Sequence, residues 1–86
     1  MKSNYQGVFY QNIEFSTKEI NLNFKIKVMR FENEKLVERL VGVSGLIDEV
    51  GNNTLVNSLL VRAFKKGEDK TVCKLRRGLK IIFFRH

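Results

Sequence analysis

Alternating apolar and polar positions give the clearest structural signal in this chain. From Ile20 to Val28 every second residue is apolar, and the residues between them are asparagine or lysine. A repeat of two places one set of side chains on one face of an extended strand, which a helix does not do. We therefore predict a long strand of the antiparallel type over 20–31, with one buried face. The polar segment 32–35 predicts a hairpin connection after it.

Less regular patterns predict further elements on both sides of this strand. Residues 5–15 have apolar side chains mainly at odd positions and predict a first strand, which a polar turn over 16–18 would end. Residues 36–43 fit either a helical stripe or a strand. The segment contains a glycine, which is unfavourable inside a helix, and valines, whose side chains are restricted at χ1, so we favour the strand. Residues 46–50 predict a single helical turn, which the glycine and asparagine that follow would stop.

Residues 54–66 have the spacing of an amphipathic helix, and we expect it to be the main helix of the domain. Its apolar positions share one side: Leu55, Val56, Leu59, Leu60, Ala63 and Phe64. Asn53 is a suitable N-cap, and Gly67 suits the left-handed residue that follows a last helical turn.

Residues 70–85 predict two more strands, because two apolar segments flank Arg76-Arg77-Gly78. A three-residue loop with glycine in the left-handed region is a common hairpin. The alternative is one long strand bent by a bulge at Gly78. Residues 79–84 are apolar on both parities, which predicts an interior strand or a face covered by a second subunit. The element order β-β-β-α-β-β predicts an α+β fold in two layers, with a mainly antiparallel sheet of about five strands.

Length and composition predict one small globular domain over 1–86 in the cytoplasm. A single cysteine, Cys73, cannot form an internal disulfide and fits a reducing compartment. No apolar stretch approaches the ~20 residues of a membrane span, and no apolar run follows Lys2 as it would in a secretory signal. We therefore expect no association with a membrane.

Candidate chemistry is sparse, so we expect no enzyme, no cofactor and no metal site. The only histidine, His86, is the last residue, and no base is available to activate Cys73 or a serine. Residues 42–45 lack the length and the lysine of a phosphate-binding loop. We expect Cys73 to be a small apolar core residue, and we expect most aromatic rings to lie in the core as well.

Charge is distributed unevenly along the chain. Residues 1–50 contain seven bases and seven acids, whereas residues 51–86 contain nine bases and two acids, so the net charge of +7 arises after Val50. A concentrated positive field attracts polyanions. The candidate nucleic-acid-binding residues are all basic and lie on the predicted helix and the last two strands: Arg62, Lys65, Lys66, Lys74, Arg76, Arg77, Lys80 and Arg85.

Two arguments rank these candidates. Arg76 and Arg77 are predicted at a hairpin tip, where the guanidinium fork can bind two phosphate oxygens at once. Arg62, Lys65 and Lys66 form one helical stripe, which would join the tip in one field if helix and hairpin are neighbours. Each charge also has a structural explanation, because cations stabilise helix C-termini and charged strands resist aggregation.

The leading functional hypothesis is a small, non-enzymatic domain that binds the backbone of DNA or RNA, with Arg76, Arg77, Lys65 and Lys66 as the strongest candidates. The alternative is a protein-interaction or homodimerisation module. In that case residues 79–84 and Val61 would form the interface, and a basic rim would select an acidic protein partner.

Overall fold

The computed structural model describes residues 15–86, which form three helices and one antiparallel sheet of four strands. In chain order the elements are α1 (Thr17–Asn23), β1 (Phe24–Glu32), β2 (Lys35–Val41), α2 (Val43–Val50), α3 (Asn53–Lys66), β3 (Lys70–Arg76) and β4 (Leu79–Arg85). The α+β class and the antiparallel sheet are confirmed, and four of the five predicted strands are present among the described residues, but these residues form three helices instead of one main helix. The predicted strand over 5–15 lies, apart from its last residue, outside the described residues.

The sheet has the strand order β2-β1-β4-β3, so β1 and β4 are its central strands. Ile26 of β1 lies opposite Phe83 of β4, and Val28 lies opposite Ile81. These side chains are buried against the apolar sides of the helices, including Leu46 of α2 and residues of α3. All three helices therefore cover the same face of the sheet, and the predicted interior position of 79–84 is confirmed.

Helix α1 corrects two predictions, the turn over 16–18 and the first part of the strand over 20–31. Ser16 is the N-cap, and its side chain accepts a hydrogen bond from the Glu19 backbone N–H at 3.1 Å. Ser-x-x-Glu is the capping-box spacing, so a local helix signal was present in the sequence. The spacing of four residues between Ile20 and Phe24 also fits a helix, where residues four apart lie on the same side. The strand itself begins at Phe24.

Helix α2 is longer than the single turn predicted over 46–50, and it begins at Val43. Val43, Leu46 and Ile47 are buried, so the start of the helix is held by packing. Gly45 lies inside this helix, and a Cβ there would lie 2.9 Å from the Cβ of Val41. Glycine is therefore what lets the helix cross close to the end of β2.

Helix α3 and the two hairpins agree with the sequence apart from small shifts. The N-cap of α3 is Asn52, not Asn53, because the Asn52 side chain accepts a hydrogen bond from Leu55 N–H at 3.0 Å. The predicted strand over 36–43 is confirmed as β2, which ends at Val41. The hairpin at Gly78 is confirmed, and a register shift between Lys74 and Arg76 adds a bulge before its turn.

One buried polar group is left without a partner in the core. Thr71 of β3 is 1% exposed, and its hydroxyl has no hydrogen-bond partner among the described residues. We expect Thr71→Val to raise the free energy of unfolding by about 1 kcal/mol, because it removes an unpaired buried hydroxyl at similar volume. Denaturant unfolding measures this change. Thr71→Ser, which keeps the hydroxyl and loses the methyl group, should be less stable than both; a destabilised valine variant would contradict the prediction.

Candidate nucleic-acid interface

The face of the sheet turned away from the helices is not covered by any described element, and we call it the open face. It consists of the residues that alternate with the core positions on the four strands: Lys25, Lys27, Met29 and Phe31 of β1, Leu36, Glu38 and Leu40 of β2, Lys70, Val72 and Lys74 of β3, and Lys80, Ile82 and Phe84 of β4. The alternation that buries one set of side chains exposes the other set, so the surface follows directly from the strand period.

The open face is strongly basic, since its side chains include five lysines and one acid. The acid, Glu38, pairs with Lys27 across the sheet, with Nζ and Oε1 3.1 Å apart. The other four lysines have no carboxylate within 4.0 Å among residues 15–86. On the opposite side of the sheet, Arg30 and Arg39 both bind the carboxylate of Glu49. Arg30 and Arg39 are thus compensated by a carboxylate on the helical side, whereas four of the five open-face lysines have no such partner among the described residues.

At one end of the open face is a cleft of about 380 Å³, which we call the tip cleft. It is lined by Met29, Phe31, Leu36, Lys74, Arg76, Arg77, Gly78, Leu79 and Lys80. Four cations therefore surround a floor formed largely by apolar side chains. The cleft brings together four of the eight basic residues that the sequence singled out, and the bulge before Arg76 allows this side chain to line it.

At the other end of the open face is a second cleft, of about 440 Å³, which we call the chain-end cleft. It is lined by Lys25, Lys27, Leu40, Phe84, Arg85 and His86. The Lys27 ammonium lies 5.5 Å from the centroid of the Phe84 ring, within cation–π distance. Both clefts thus combine lysine with an aromatic ring.

Helix α3 and the hairpin tip do not form one continuous field. Lys65 and Lys66 lie at the C-terminal end of α3, beside the start of β3, and Lys66 pairs with Glu68 at 3.3 Å. Arg76 is at the other end of β3, six residues on from Lys70, or about 20 Å at the rise of a strand. That separation exceeds the Debye length of about 8 Å at physiological salt. Arg62 is closer, because it lines a small cleft with Lys74 at the α3–β3 edge.

The Arg85 side chain is engaged in contacts within the protein. Its guanidinium donates hydrogen bonds to the carbonyls of Ala63 at 2.9 Å, Phe64 at 3.4 Å and Glu68 at 3.3 Å. Its Cζ also lies 4.9 Å from the centroid of the Phe24 ring. Ala63 and Phe64 belong to the last turn of α3, where carbonyls have no partner within the helix. Arg85 therefore holds the end of α3 to the sheet.

Sequence reasoning missed four residues that contribute to the open face: Lys25, Lys27, Lys70 and Phe31. The lysines of β1 were visible as the polar half of an alternating strand, but their proximity to β4 depends on strand order. Phe31 left a clearer signal, because Met29 and Phe31 are apolar at odd positions of β1, where Lys25 and Lys27 are polar. An apolar residue on the polar face of a strand indicates a second contact surface.

No family model, curated protein or solved structure matches this chain. Among the described residues, no three His, Cys, Asp or Glu side chains are grouped so as to hold a metal ion. In the same part of the chain, no helix has both the length and the apolar composition to cross a bilayer.

Proposed function

We propose that this protein is a non-enzymatic, cytoplasmic nucleic-acid-binding domain whose open face contacts the phosphate backbone. The observation that carries the proposal is the grouping of Lys74, Arg76, Arg77 and Lys80 around the tip cleft, without a carboxylate partner among the described residues. The buried free thiol of Cys73 is consistent with a reducing compartment.

The arrangement suits a polyanion better than a single small anion. The tip cleft holds four cations, and Lys25, Lys27 and Lys70 continue the positive surface toward the chain-end cleft. A line of cations about 20 Å long matches a ligand with repeated charges, because each phosphate that is bound releases its condensed counterions. Contacts of this kind give affinity without reading sequence.

The first prediction for this site concerns salt dependence. We expect the protein to bind labelled DNA or RNA in fluorescence anisotropy, with log affinity falling as log salt concentration rises, by about 0.7 to 0.9 for each phosphate contact. Arg76→Ala combined with Arg77→Ala should lower the magnitude of the slope by about 1.4 to 1.8, since two phosphate contacts are lost. The affinity should fall at least about tenfold near 0.1 M salt.

A matched control separates a defined site from net charge. Lys65→Ala combined with Lys66→Ala removes the same number of charges from the end of α3, about 20 Å from the tip cleft, and should leave the slope nearly unchanged. Both double variants should remain folded, because these side chains are exposed. Equal effects of the two double variants, or no salt-dependent binding of wild type at low salt, would contradict the proposal.

A second candidate function, a homodimer or protein-interaction module, is favoured by one observation. Strand β2 is an edge strand, and its Leu36 and Leu40 are 55% and 60% exposed on the open face. Exposed apolar side chains on an edge strand are typical of an interface. Val61 lies in the helical layer, so it does not form one surface with the outward residues of β4. Light scattering over a range of concentrations tests this function: a dimer that Leu40→Lys dissociates would support it, and a monomer would oppose homodimerisation.

A further inference from the structure

We infer that the open face binds a single strand of nucleic acid, with bases stacked on Phe31 and Phe84 and phosphates bound by the lysines between them. This inference rests on the proposed function and specifies its ligand. The observations that carry it are the width of the sheet, the charge of the two hairpin ends, and the two aromatic rings.

The width of the sheet argues against insertion of the open face into the groove of a duplex. Four strands spaced about 4.8 Å apart span about 14 Å before their side chains are counted. The major groove of B-DNA is about 12 Å wide and admits a helix or a two-stranded ribbon. The open face is therefore too wide to reach base edges inside a groove.

The β3–β4 hairpin is narrow enough to enter a groove, but its neighbour opposes this. The Phe31 N–H donates a hydrogen bond to the Gly78 carbonyl at 2.9 Å, so the two hairpins end side by side. The β1–β2 hairpin carries Glu32 and Glu34 at that end. If the β3–β4 hairpin entered a groove, these carboxylates would lie against the phosphates of the duplex. If a single nucleic-acid strand lay on the open face, the carboxylates would remain at the edge of the binding surface.

Phe31 gives the tip cleft a feature that phosphate binding does not use. Its side chain is 59% exposed and lines the cleft together with Arg76 and Lys80. A paired duplex keeps its base faces stacked on one another, but an unpaired base offers a free face to an aromatic ring. Stacking of one base on one aromatic side chain contributes about 1 to 3 kcal/mol.

Phe84 is a second aromatic residue at the other end of the open face, where its side chain is partly exposed. It lies directly opposite Lys25 on β1 and Lys70 on β3, so lysines flank the ring on both neighbouring strands. Phe31 is six residues from Lys25 along β1, which places the two rings about 20 Å apart along the strands. Lys27, Lys74 and Lys80 lie between them. Two rings with lysines between them therefore lie along one path, which suits a ligand that offers both bases and phosphates.

Charge also favours a nucleic acid over a second copy of this chain. A two-fold face-to-face dimer would place five lysines and one glutamate of each open face against the same set. Like charges brought together in an interface cost several kcal/mol. A polyanion removes this repulsion and also covers the exposed apolar side chains.

The test compares three labelled ligands of equal length, about 12 nucleotides, which lies within the site sizes of single-strand-binding domains. They are oligothymidylate, its duplex with oligoadenylate, and an abasic oligomer that has phosphates but no bases. We expect oligothymidylate to bind at least about tenfold more tightly than the other two. Phe31→Leu and Phe84→Leu should each reduce oligothymidylate affinity about tenfold and leave abasic affinity unchanged. Leu22→Ala on α1, which shortens an exposed apolar side chain outside the open face, is the control.

The outcomes separate this inference from the proposed function. Salt-dependent binding with equal affinity for all three ligands, or tighter binding of the duplex, would overturn the single-strand inference and leave the proposed function standing. Unchanged oligothymidylate affinity in both phenylalanine variants would do the same. No binding to any of the three ligands would overturn the proposed function itself. A dimer lost on Phe31→Leu, with no nucleic-acid binding, would assign the open face to a second copy.

Discussion

Arg85→Ala should lower the free energy of unfolding by about 3 kcal/mol, although arginine at an exposed chain end is ordinarily of little structural consequence. The guanidinium donates to carbonyls of Ala63, Phe64 and Glu68 and lies over the Phe24 ring. Hydrogen bonds from a charged donor contribute about 1.5 to 3 kcal/mol, and a cation at a helix C-terminus adds about 0.3 to 1 kcal/mol. Thermal unfolding should shift down by roughly 12 to 24 °C in a domain of this size.

Arg85→Lys separates the two roles that this residue can have. Lysine keeps the charge but lacks the planar guanidinium that reaches several carbonyls. We therefore expect Arg85→Lys to lower the free energy of unfolding by about two thirds as much as Arg85→Ala does. Nucleic-acid affinity, measured below the unfolding transition, should be nearly unchanged in the lysine variant. Arg77→Ala is the opposite control, since its side chain is at the exposed tip and its loss should change stability by less than about 0.5 kcal/mol. If Arg85→Ala were as stable as the wild type but bound nucleic acid much more weakly, Arg85 would be a binding residue and its structural role would be contradicted.

The elements that the sequence predicted well are those whose signal is local. Strand β1 from Phe24 onward, helix α3 and the hairpin at Gly78 each have a periodicity or a turn residue that favours the structure observed. Helix α1 failed because three alternating apolar residues continue the pattern of β1, while the deciding signal, the Ser16 cap, is a single hydrogen bond. The start of helix α2 was not predicted, because the reason for a glycine at position 45 is the approach of Val41, which the sequence alone does not show.

The candidate site was predictable only where it depends on one hairpin. Lys74 and Lys80 face each other across β3 and β4, and the tip arginines follow in the turn, so their proximity could be inferred from the sequence. The pairing of β1 with β4 joins segments from the two halves of the chain, and strand order is not encoded in periodicity. For that reason the lysines of β1, and the ring of Phe31, entered the surface only once the sheet was known.

Glu49→Ala should lower the free energy of unfolding by about 2 to 3 kcal/mol. Its carboxylate is 11% exposed and accepts hydrogen bonds from Arg30 on β1 and Arg39 on β2. This triad ties helix α2 to the two strands. Its removal leaves the Arg39 guanidinium without a counter-charge, and it leaves Arg30 only the longer contact to Glu32, where Nε and Oε2 are 3.6 Å apart. Breaking a largely buried pair is costly. The Arg39 side chain is 61% exposed, so water screens its pair with Glu49. The loss in free energy of unfolding should therefore be smaller than for a fully buried ion pair.

Glu38→Ala is the matched control, because it removes one glutamate that pairs with one cation on the other face of the same sheet. Both partners are substantially exposed, so the loss of stability should be below about 1 kcal/mol. Denaturant unfolding at low and high salt measures both variants. Salt should weaken the contribution of Glu38 more than that of Glu49, since screening acts mainly on exposed charges. Equal destabilisation by the two substitutions would contradict the structural role of Glu49.

The same pair of variants also connects the charge distribution to binding. Glu38 is the only acid among the open-face side chains, and Lys27 is its partner. Its removal frees Lys27 for a phosphate, so Glu38→Ala should raise affinity for oligothymidylate several-fold at low salt and steepen the salt slope by about 0.7. Glu49 lies on the helical side, and its removal should leave the slope unchanged while the protein is folded. A rise in affinity from both variants would show that net charge, not the open face, determines binding.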